Sequence, residues 1–188
     1  MTPNTLLDFA GLAEQLRRVT VELIDDAVSR GSGVLWPRGF VVTNAHVARR
    51  SHMTVGSFDG QRLDACVVAR DHDADLAVLR VIDADLPTAT IAETKVRIGS
   101  LVVAVGHPFG LRSALTAGII HAIGPITRDG AAWIHADVRL APGNSGGPLA
   151  DVSGAVVGIN AMVGGGLALA VPISRVRDFV RVAGLLHT

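Results

Sequence analysis

Short apolar runs separated by turn residues occupy most of the chain and constrain its fold more than any other feature. Val19, Val21 and Leu23 alternate with polar residues at the two-residue period of a half-buried strand. Comparable runs recur at residues 31–36, 40–42, 53–58, 62–69, 76–81, 101–105, 115–120, 133–136, 155–159 and 167–171. The chain also contains 21 glycines, many of them between these runs. Short strands at this spacing, without helices between them, predict a barrel or a sandwich.

Helical periodicity is confined to the two ends of the chain. Apolar residues recur at helical spacing over residues 6–17 and again over residues 176–183. Ser174, which follows Pro172, is the predicted N-cap of the second helix. Residues 83–99 are the least regular part of the chain and form the expected link between two halves.

Charge and hydropathy exclude several classes of function. Lys and Arg total 17, as do Asp and Glu, so no basic excess points to nucleic acid. No apolar stretch is long enough to cross a bilayer, and the first residues do not form a secretory signal. We therefore expect a cytoplasmic protein from the chain as it stands, and an extracytoplasmic one if a leader has been removed. The single cysteine excludes an internal disulfide, and the histidines show no metal-ligand spacing.

A serine surrounded by glycines is the strongest chemical signal. In residues 143–149 (GNSGGPL), the glycines permit a sharp turn that can aim N–H groups into one pocket. The N–H groups of Gly143 and Ser145 can then converge on a carbonyl oxygen while the Ser145 hydroxyl attacks its carbon. An ordinary Gly-rich turn has the same composition, so the motif needs partners elsewhere in the chain.

Two further segments can supply those partners. His46 follows a β-branched strand (VVTNAHV), and an acidic cluster at residues 71–75 (DHDAD) leads into an apolar strand. Taken alone, a histidine is more often structural, and most acids in such a cluster are solvated. Asp75 is the predicted orienting acid because it adjoins the strand, whereas Asp71 begins a polar turn. Asp73 has the same strand parity as Asp75 and is its competitor.

The three motifs follow the order His, Asp, Ser, which is the order of chymotrypsin-type enzymes. Together they resemble the protease domain of the HtrA (Deg) family of trypsin-like serine peptidases. The matching segments are residues 43–47 (TNAHV), 75–79 (DLAVL) and 143–149 for the three motifs, with 105–111, 116–120, 157–160 and 168–173 elsewhere. His107 stands where that family usually has Asn. The resemblance covers roughly residues 16–182.

The resemblance implies a particular fold. It predicts an all-β chain of two six-stranded antiparallel β-barrels, the trypsin-like double barrel, with short N- and C-terminal helices. The first barrel is expected over residues 19–85, the second over 96–172 and the closing helix over 174–187. We further expect a single protease domain over residues 1–188, without the PDZ domain that usually follows in this family.

The resemblance also implies a mechanism. The chain is expected to be a serine endopeptidase that cleaves unfolded or partly folded polypeptides through an acyl-enzyme and needs no cofactor. His46 is the expected base, Asp75 the orienting acid and Ser145 the nucleophile, while Gly143, Asn144 and Ser145 surround the oxyanion. Two alternatives remain: a catalytically latent chaperone or peptide-binding regulator on a protease scaffold, and an esterase or other acyl hydrolase.

Specificity and assembly are predicted on the same basis. The primary specificity pocket is expected to be apolar, with walls from Leu140, Ile159 and Leu169. Family members often trimerise through residues before the first strand. The apolar residues there, Leu6, Leu7, Phe9 and Leu12, make a homotrimer one possibility, and packing of this helix on its own barrel is the other.

Overall fold

The computed structural model has one helix at each end of the chain and two sets of strands between them. It describes residues 7–82, 86–111, 113–128 and 130–185, apart from the side chains of Met162 and Val163. The helices are α1 (Phe9–Arg18) and α2 (Ile173–Val182). The first six strands are β1 (Thr20–Asp25), β2 (Val28–Trp36), β3 (Phe40–Thr43), β4 (His52–Gly56), β5 (Arg62–Asp71) and β6 (Leu76–Val81). The next six are β7 (Leu101–Gly106), β8 (Ala114–Pro125), β9 (Ala132–Ala136), β10 (Pro148–Asp151), β11 (Val156–Gly164) and β12 (Leu167–Pro172).

Each set of six strands closes into an antiparallel barrel. The order is β1-β2-β3-β6-β5-β4 in the first barrel and β10-β11-β12-β9-β8-β7 in the second. Closure leaves no unpaired sheet edge, so both barrels can fill their interiors with side chains. The predicted double barrel with two short helices is confirmed. The sequence pattern does not single out β10, which is a four-residue strand directly after the Gly-rich turn.

Helix α1 packs on the second barrel. Its N-cap is Asp8, whose carboxylate accepts a 2.9 Å hydrogen bond from the N–H of Gly11. Leu12 and Leu16 are buried in a cluster with apolar residues of β7 and β10, including Val103. Burying a leucine contributes about 1.5–3 kcal/mol, so these two residues hold the helix in place. Packing on its own domain therefore accounts for one face of α1.

Helix α2 covers both barrels with Ile173, Val176 and Val180, which belong to a core cluster that includes residues of each barrel. The predicted N-cap at Ser174 is wrong. The chain passes from β12 into α2 at Pro172, which is the N-cap and has an extended backbone, and the cap has no side-chain hydrogen bond. Because Ile173 is already helical and buried, Ser174 lies inside the first turn. The helix ends at Val182, before the predicted end at residue 187, which lies outside the described residues.

Candidate active site

His46 and Asp75 meet at one end of the first barrel because β3 and β6 are antiparallel neighbours. Thr43, the last residue of β3, pairs with Ala77 near the start of β6. The Asp75 carboxylate oxygens lie 2.8 and 3.0 Å from Nδ1 of His46, and one of them also accepts the His46 backbone N–H at 3.1 Å. An ionised carboxylate only accepts hydrogen bonds, so Nδ1 carries the proton and Nε2 of a neutral ring is left as an acceptor.

The backbone around Asp75 is held in an unusual conformation. Its φ angle is +52°, in the left-handed region that Asp and Asn occupy more readily than most residues. The buried Asn44 donates a 2.9 Å hydrogen bond from its side chain to the Asp75 carbonyl. Asp71 has a different role, because its carboxylate accepts the N–H groups of Asp73 and Ala74 at 2.9 Å. Of the three clustered acids, the structure therefore brings Asp75 to the His46 ring.

Ser145 lies in the turn before β10, and its hydroxyl donates a 2.7 Å hydrogen bond to the carbonyl of Ala161. Ala161 is the residue at which the pairing of β11 with β12 shifts register, as happens at a β-bulge. A serine hydroxyl has one proton, so in this conformation Ser145 does not donate to His46. To form that hydrogen bond, the Ser145 hydroxyl has to redirect its proton from Ala161 to His46.

The serine turn is fixed to β11 by a set of short backbone bonds. The Gly146 N–H donates to the carbonyl of Asn160 at 2.7 Å, and the Asn160 N–H donates to the carbonyl of Gly147 at 2.9 Å. The buried Asn160 side chain also donates to the carbonyl of Pro148 at 2.8 Å. Gly146 has a φ angle of +85°, and a Cβ there would overlap the carbonyl oxygen of Ser32. The turn therefore requires glycine at this position.

The loop before Ser145 is the predicted oxyanion-binding loop. Gly143 has a φ angle of +106°, and a Cβ there would overlap the carbonyl of His107. The Asn144 N–H is directed to the carbonyl of Ala141 at 3.0 Å. Within the described residues, the N–H groups of Gly143 and Ser145 have no hydrogen-bond acceptor. Whether these two groups bind an oxyanion stays a prediction.

Ser32 is a site residue that the sequence did not reveal. It lies on β2 of the first barrel, is completely buried and reaches the serine loop of the second barrel. Its N–H donates to the carbonyl of Ser145 at 2.8 Å, and its hydroxyl donates to the carbonyl of Gly143 at 2.7 Å. The same hydroxyl accepts the N–H of His107 at 3.0 Å. The available sequence signal is the GSG string at residues 31–33, which permits a close approach: a Cβ on Gly31 would lie 2.9 Å from the Ser145 carbonyl oxygen.

The predicted pocket residues differ in burial. Ile159 and Leu169 are buried in the large core cluster that spans the barrels. Leu140 is half-buried and packs against the core of the second barrel. Arg139, which precedes it, is exposed, and its carbonyl accepts a 3.0 Å hydrogen bond from the Thr116 hydroxyl. The three predicted residues are all apolar, and whether they form the pocket stays a prediction.

The described ranges contain no group of three or more His, Cys, Asp or Glu side chains arranged to hold a metal ion. Neither helix in this part of the chain is long and apolar enough to cross a membrane, since each has ten residues.

Paired barrels with a His–Asp contact on one and a Gly-rich serine turn on the other define the trypsin-like class of serine peptidases. The chain belongs to the trypsin-like peptidase domain family, whose sequence pattern matches residues 31–159. This range contains His46, Asp75 and Ser145. The prediction of a serine-type peptidase is thereby confirmed at the level of the family.

Curated relatives identify the branch of the family that the chain resembles. The DegP-like periplasmic serine endoprotease of Halomonas elongata is 41% identical over 161 residues, which are 80% of this chain and 34% of the relative. The mitochondrial serine protease HTRA2 of Bos taurus is 38% identical over 164 residues, which are 81% of this chain and 36% of the relative. The chain therefore spans about a third of the length of the curated relatives it matches.

Solved structures agree with the sequence comparison. The HtrA-type protease AlgW with decapeptide superposes with a TM-score of 0.86 at 25% identity, over 95% of this chain and 68% of that one. The serine endoprotease from Yersinia pestis gives a TM-score of 0.84 at 28% identity, over 96% of this chain and 68% of that one. The resemblance to HtrA proteases is confirmed in both sequence and fold.

Proposed function

We propose that the chain is a serine endopeptidase in which His46, Asp75 and Ser145 form the catalytic triad. The observation that carries this proposal is the 2.8 Å contact between the Asp75 carboxylate and Nδ1 of His46. This contact fixes the tautomer and the direction of the ring, and a serine nucleophile depends on a base held in this way. The Gly-rich turn that presents Ser145, with two unengaged N–H groups, supports the assignment.

The proposed reaction begins when a substrate backbone N–H binds the Ala161 carbonyl and releases the Ser145 hydroxyl. Ser145 then donates its proton to Nε2 of His46 as its oxygen attacks the peptide carbonyl carbon. Asp75 stabilises the imidazolium, and the N–H groups of Gly143 and Ser145 bind the oxyanion. His46 next protonates the leaving amine. Water, deprotonated by His46, hydrolyses the acyl-enzyme and regenerates the Ser145 hydroxyl.

Unfolded or partly folded polypeptides are the proposed substrates. In this proposal the Ala161 carbonyl, which accepts the Ser145 hydroxyl in this structure, accepts a backbone N–H of an extended substrate segment after that hydroxyl is released. Folded proteins already use most of these groups in their own structure. The relatives named as endoproteases, and the HtrA-type protease solved with a decapeptide, are consistent with an extended peptide ligand.

Labelling with a fluorophosphonate tests the proposed function, because this probe reacts with an activated serine. We expect the wild-type protein to be labelled and to cleave casein, and Ser145→Ala to lose both properties with an unchanged circular dichroism spectrum. Loss of the nucleophile typically costs about 10⁴- to 10⁶-fold in rate. Casein cleavage by Ser145→Ala at the wild-type rate would refute the mechanism. Turnover of a simple ester without cleavage of casein would instead identify an acyl hydrolase.

A second candidate is a catalytically latent protein that holds unfolded polypeptide. The hydrogen bond from Ser145 to Ala161 favours it, because this bond uses the hydroxyl proton that a nucleophilic serine donates to its base. The same labelling experiment separates the two candidates. A latent protein binds unfolded casein without being labelled, whereas a peptidase is labelled.

A further inference from the structure

An open cleft of about 730 Å³ lies beside the His46–Asp75 pair. It is lined by Ala45, His46, Arg49, Arg70, His72 and Asp75. Two arginines therefore border the space next to the proposed base. The contacts of these arginines determine whether their charges are available to a ligand.

Backbone carbonyls of one short segment hold both guanidinium groups. Arg49 donates from Nε to the carbonyl of His46 at 2.8 Å. Arg70 donates from Nη2 to the carbonyls of Ala48 and Arg50, the latter at 3.2 Å. Each guanidinium has five N–H donors, so both retain several after these bonds. Both guanidinium groups are therefore held at the cleft and retain N–H donors that a ligand can use.

Neither Arg49 nor Arg70 forms an ion pair within the described residues, because the nearby carboxylates are paired with other arginines. Arg50 pairs with Asp25 at 3.0 Å and with Asp26 at 2.8 Å, and Arg30 lies 3.5 Å from Asp25. Across the described residues, no carboxylate oxygen lies within 4.0 Å of a guanidinium nitrogen of Arg49 or Arg70. The one carboxylate that lines the cleft belongs to Asp75, and it is bound to His46.

We propose that Arg49 and Arg70 bind the carboxylate of an Asp or Glu side chain in the polypeptide substrate. The planar guanidinium matches a carboxylate through two parallel N–H···O bonds, and both groups are already fixed at the cleft. Because Arg49 is bonded to the backbone of His46, the proposed base, the acidic residue is expected near the cleaved bond. The inference rests on the proposed peptidase function and adds a substrate class to it.

The expected size of the effect follows from exposure. Both arginines are exposed, so solvent weakens the attraction, and an acidic residue should improve kcat/KM by about five- to tenfold over its amide. The preference should fall with added salt, because the Debye length shortens from ~10 Å at 0.1 M to ~3 Å at 1 M.

A matched set of peptides tests the proposal. Each peptide carries Glu, Gln or Lys at one position near the cleaved bond, and kcat/KM is measured for each. We expect one position to favour Glu over Gln, and the double variant Arg49→Gln/Arg70→Gln to lose that preference. Arg50→Gln is the control, because its charge is already paired with Asp25 and Asp26, and it should keep the preference. Equal rates for Glu and Gln peptides at every position would overturn the proposal.

A binding measurement keeps the inference separate from the proposed activity. The same peptides are titrated against Ser145→Ala, and fluorescence anisotropy gives their dissociation constants without turnover. Tighter binding of the Glu peptide, lost in a triple variant that adds Arg49→Gln and Arg70→Gln, supports the inference even if the wild-type protein is not labelled by fluorophosphonate. Equal affinities for Glu and Gln peptides overturn it, even if the wild-type protein cleaves casein.

Discussion

The Ser32 hydroxyl, on the first barrel, donates a 2.7 Å hydrogen bond to the carbonyl oxygen of Gly143 on the second. The Ser32 N–H also binds the carbonyl of Ser145 at 2.8 Å. One residue thus holds both ends of the segment whose N–H groups are the proposed oxyanion donors. Because these hydrogen bonds join the two barrels, the position of that segment depends on how the barrels are docked against each other.

Ser32→Ala should lower kcat by about ten- to a hundredfold with little change in KM. The substitution removes a hydrogen bond from the Gly143 carbonyl, a change worth about 1–3 kcal/mol, and loosens the donors that act in the transition state. Steady-state kinetics and the rate of fluorophosphonate labelling measure the effect. Ser29→Ala is the matched control on the same strand, because the Ser29 hydroxyl is buried with no hydrogen-bond partner in the described structure. Equal losses in both variants would show that Ser32 does not act through the loop.

Asp75→Asn should lower kcat by roughly 10⁴-fold while the protein stays folded. The amide can donate to Nδ1 and so favours the wrong histidine tautomer. Asn also tolerates the left-handed backbone at φ +52°, which makes it a better test than Ala. Kinetics and circular dichroism together measure the outcome.

Asp71→Asn and Asp73→Asn are the controls for this prediction. Both should stay within about tenfold of wild type, because neither carboxylate contacts His46 in the described structure. Asp71 caps its own turn, so its substitution should affect stability more than turnover. A large loss in Asp73→Asn combined with near-normal Asp75→Asn would move the orienting role to Asp73.

Local sequence patterns predict eleven of the twelve strands, the presence of both helices and the three candidate catalytic residues, but they miss β10 and misplace the ends of α2. Strand periodicity depends on neighbouring residues, and the motifs around His46 and Ser145 are contiguous strings. Asp75 could be separated from Asp71 because an acid at a strand entrance has a rigid backbone. The double barrel itself came from the family resemblance, since periodicity alone leaves barrels and sandwiches open.

Features that depend on distant contacts were not predicted. Ser32 lies 111 residues before Gly143, and nothing in either segment indicates that the two meet. The start of α2 was misplaced for a related reason: burial of Ile173 against the barrels outweighs the capping preference of Ser174. The unpaired positive charge at the cleft also depends on distant contacts, because the fold decides which arginines form ion pairs with carboxylates.

The N-terminal segment is the proposed surface for self-association. Leu7 and Phe9 are 43% and 39% exposed, whereas Leu12 and Leu16 are buried against the second barrel. Exposed apolar side chains favour association, so the wild-type protein should be a trimer at about 50 µM and Leu7→Asp/Phe9→Asp a monomer. Light scattering measures the mass. Val182→Asp, at the exposed end of α2, should leave the mass unchanged, and a monomeric wild-type protein would contradict the prediction.

The primary specificity pocket should accept Ala, Val or Leu at the position before the cleaved bond. The three predicted pocket residues, Leu140, Ile159 and Leu169, are apolar, and the residue before Leu140 is the exposed Arg139, so none of these positions supplies an acid to attract a substrate lysine or arginine. Leu140→Phe adds volume at a half-buried wall and should reduce cleavage after Leu relative to Ala by about tenfold. Arg139→Gln should leave the profile unchanged. These preferences are measured by digesting a peptide library with the wild type, Leu140→Phe and Arg139→Gln and sequencing the products. A profile dominated by Arg or Lys before the cleaved bond would rule out the apolar pocket.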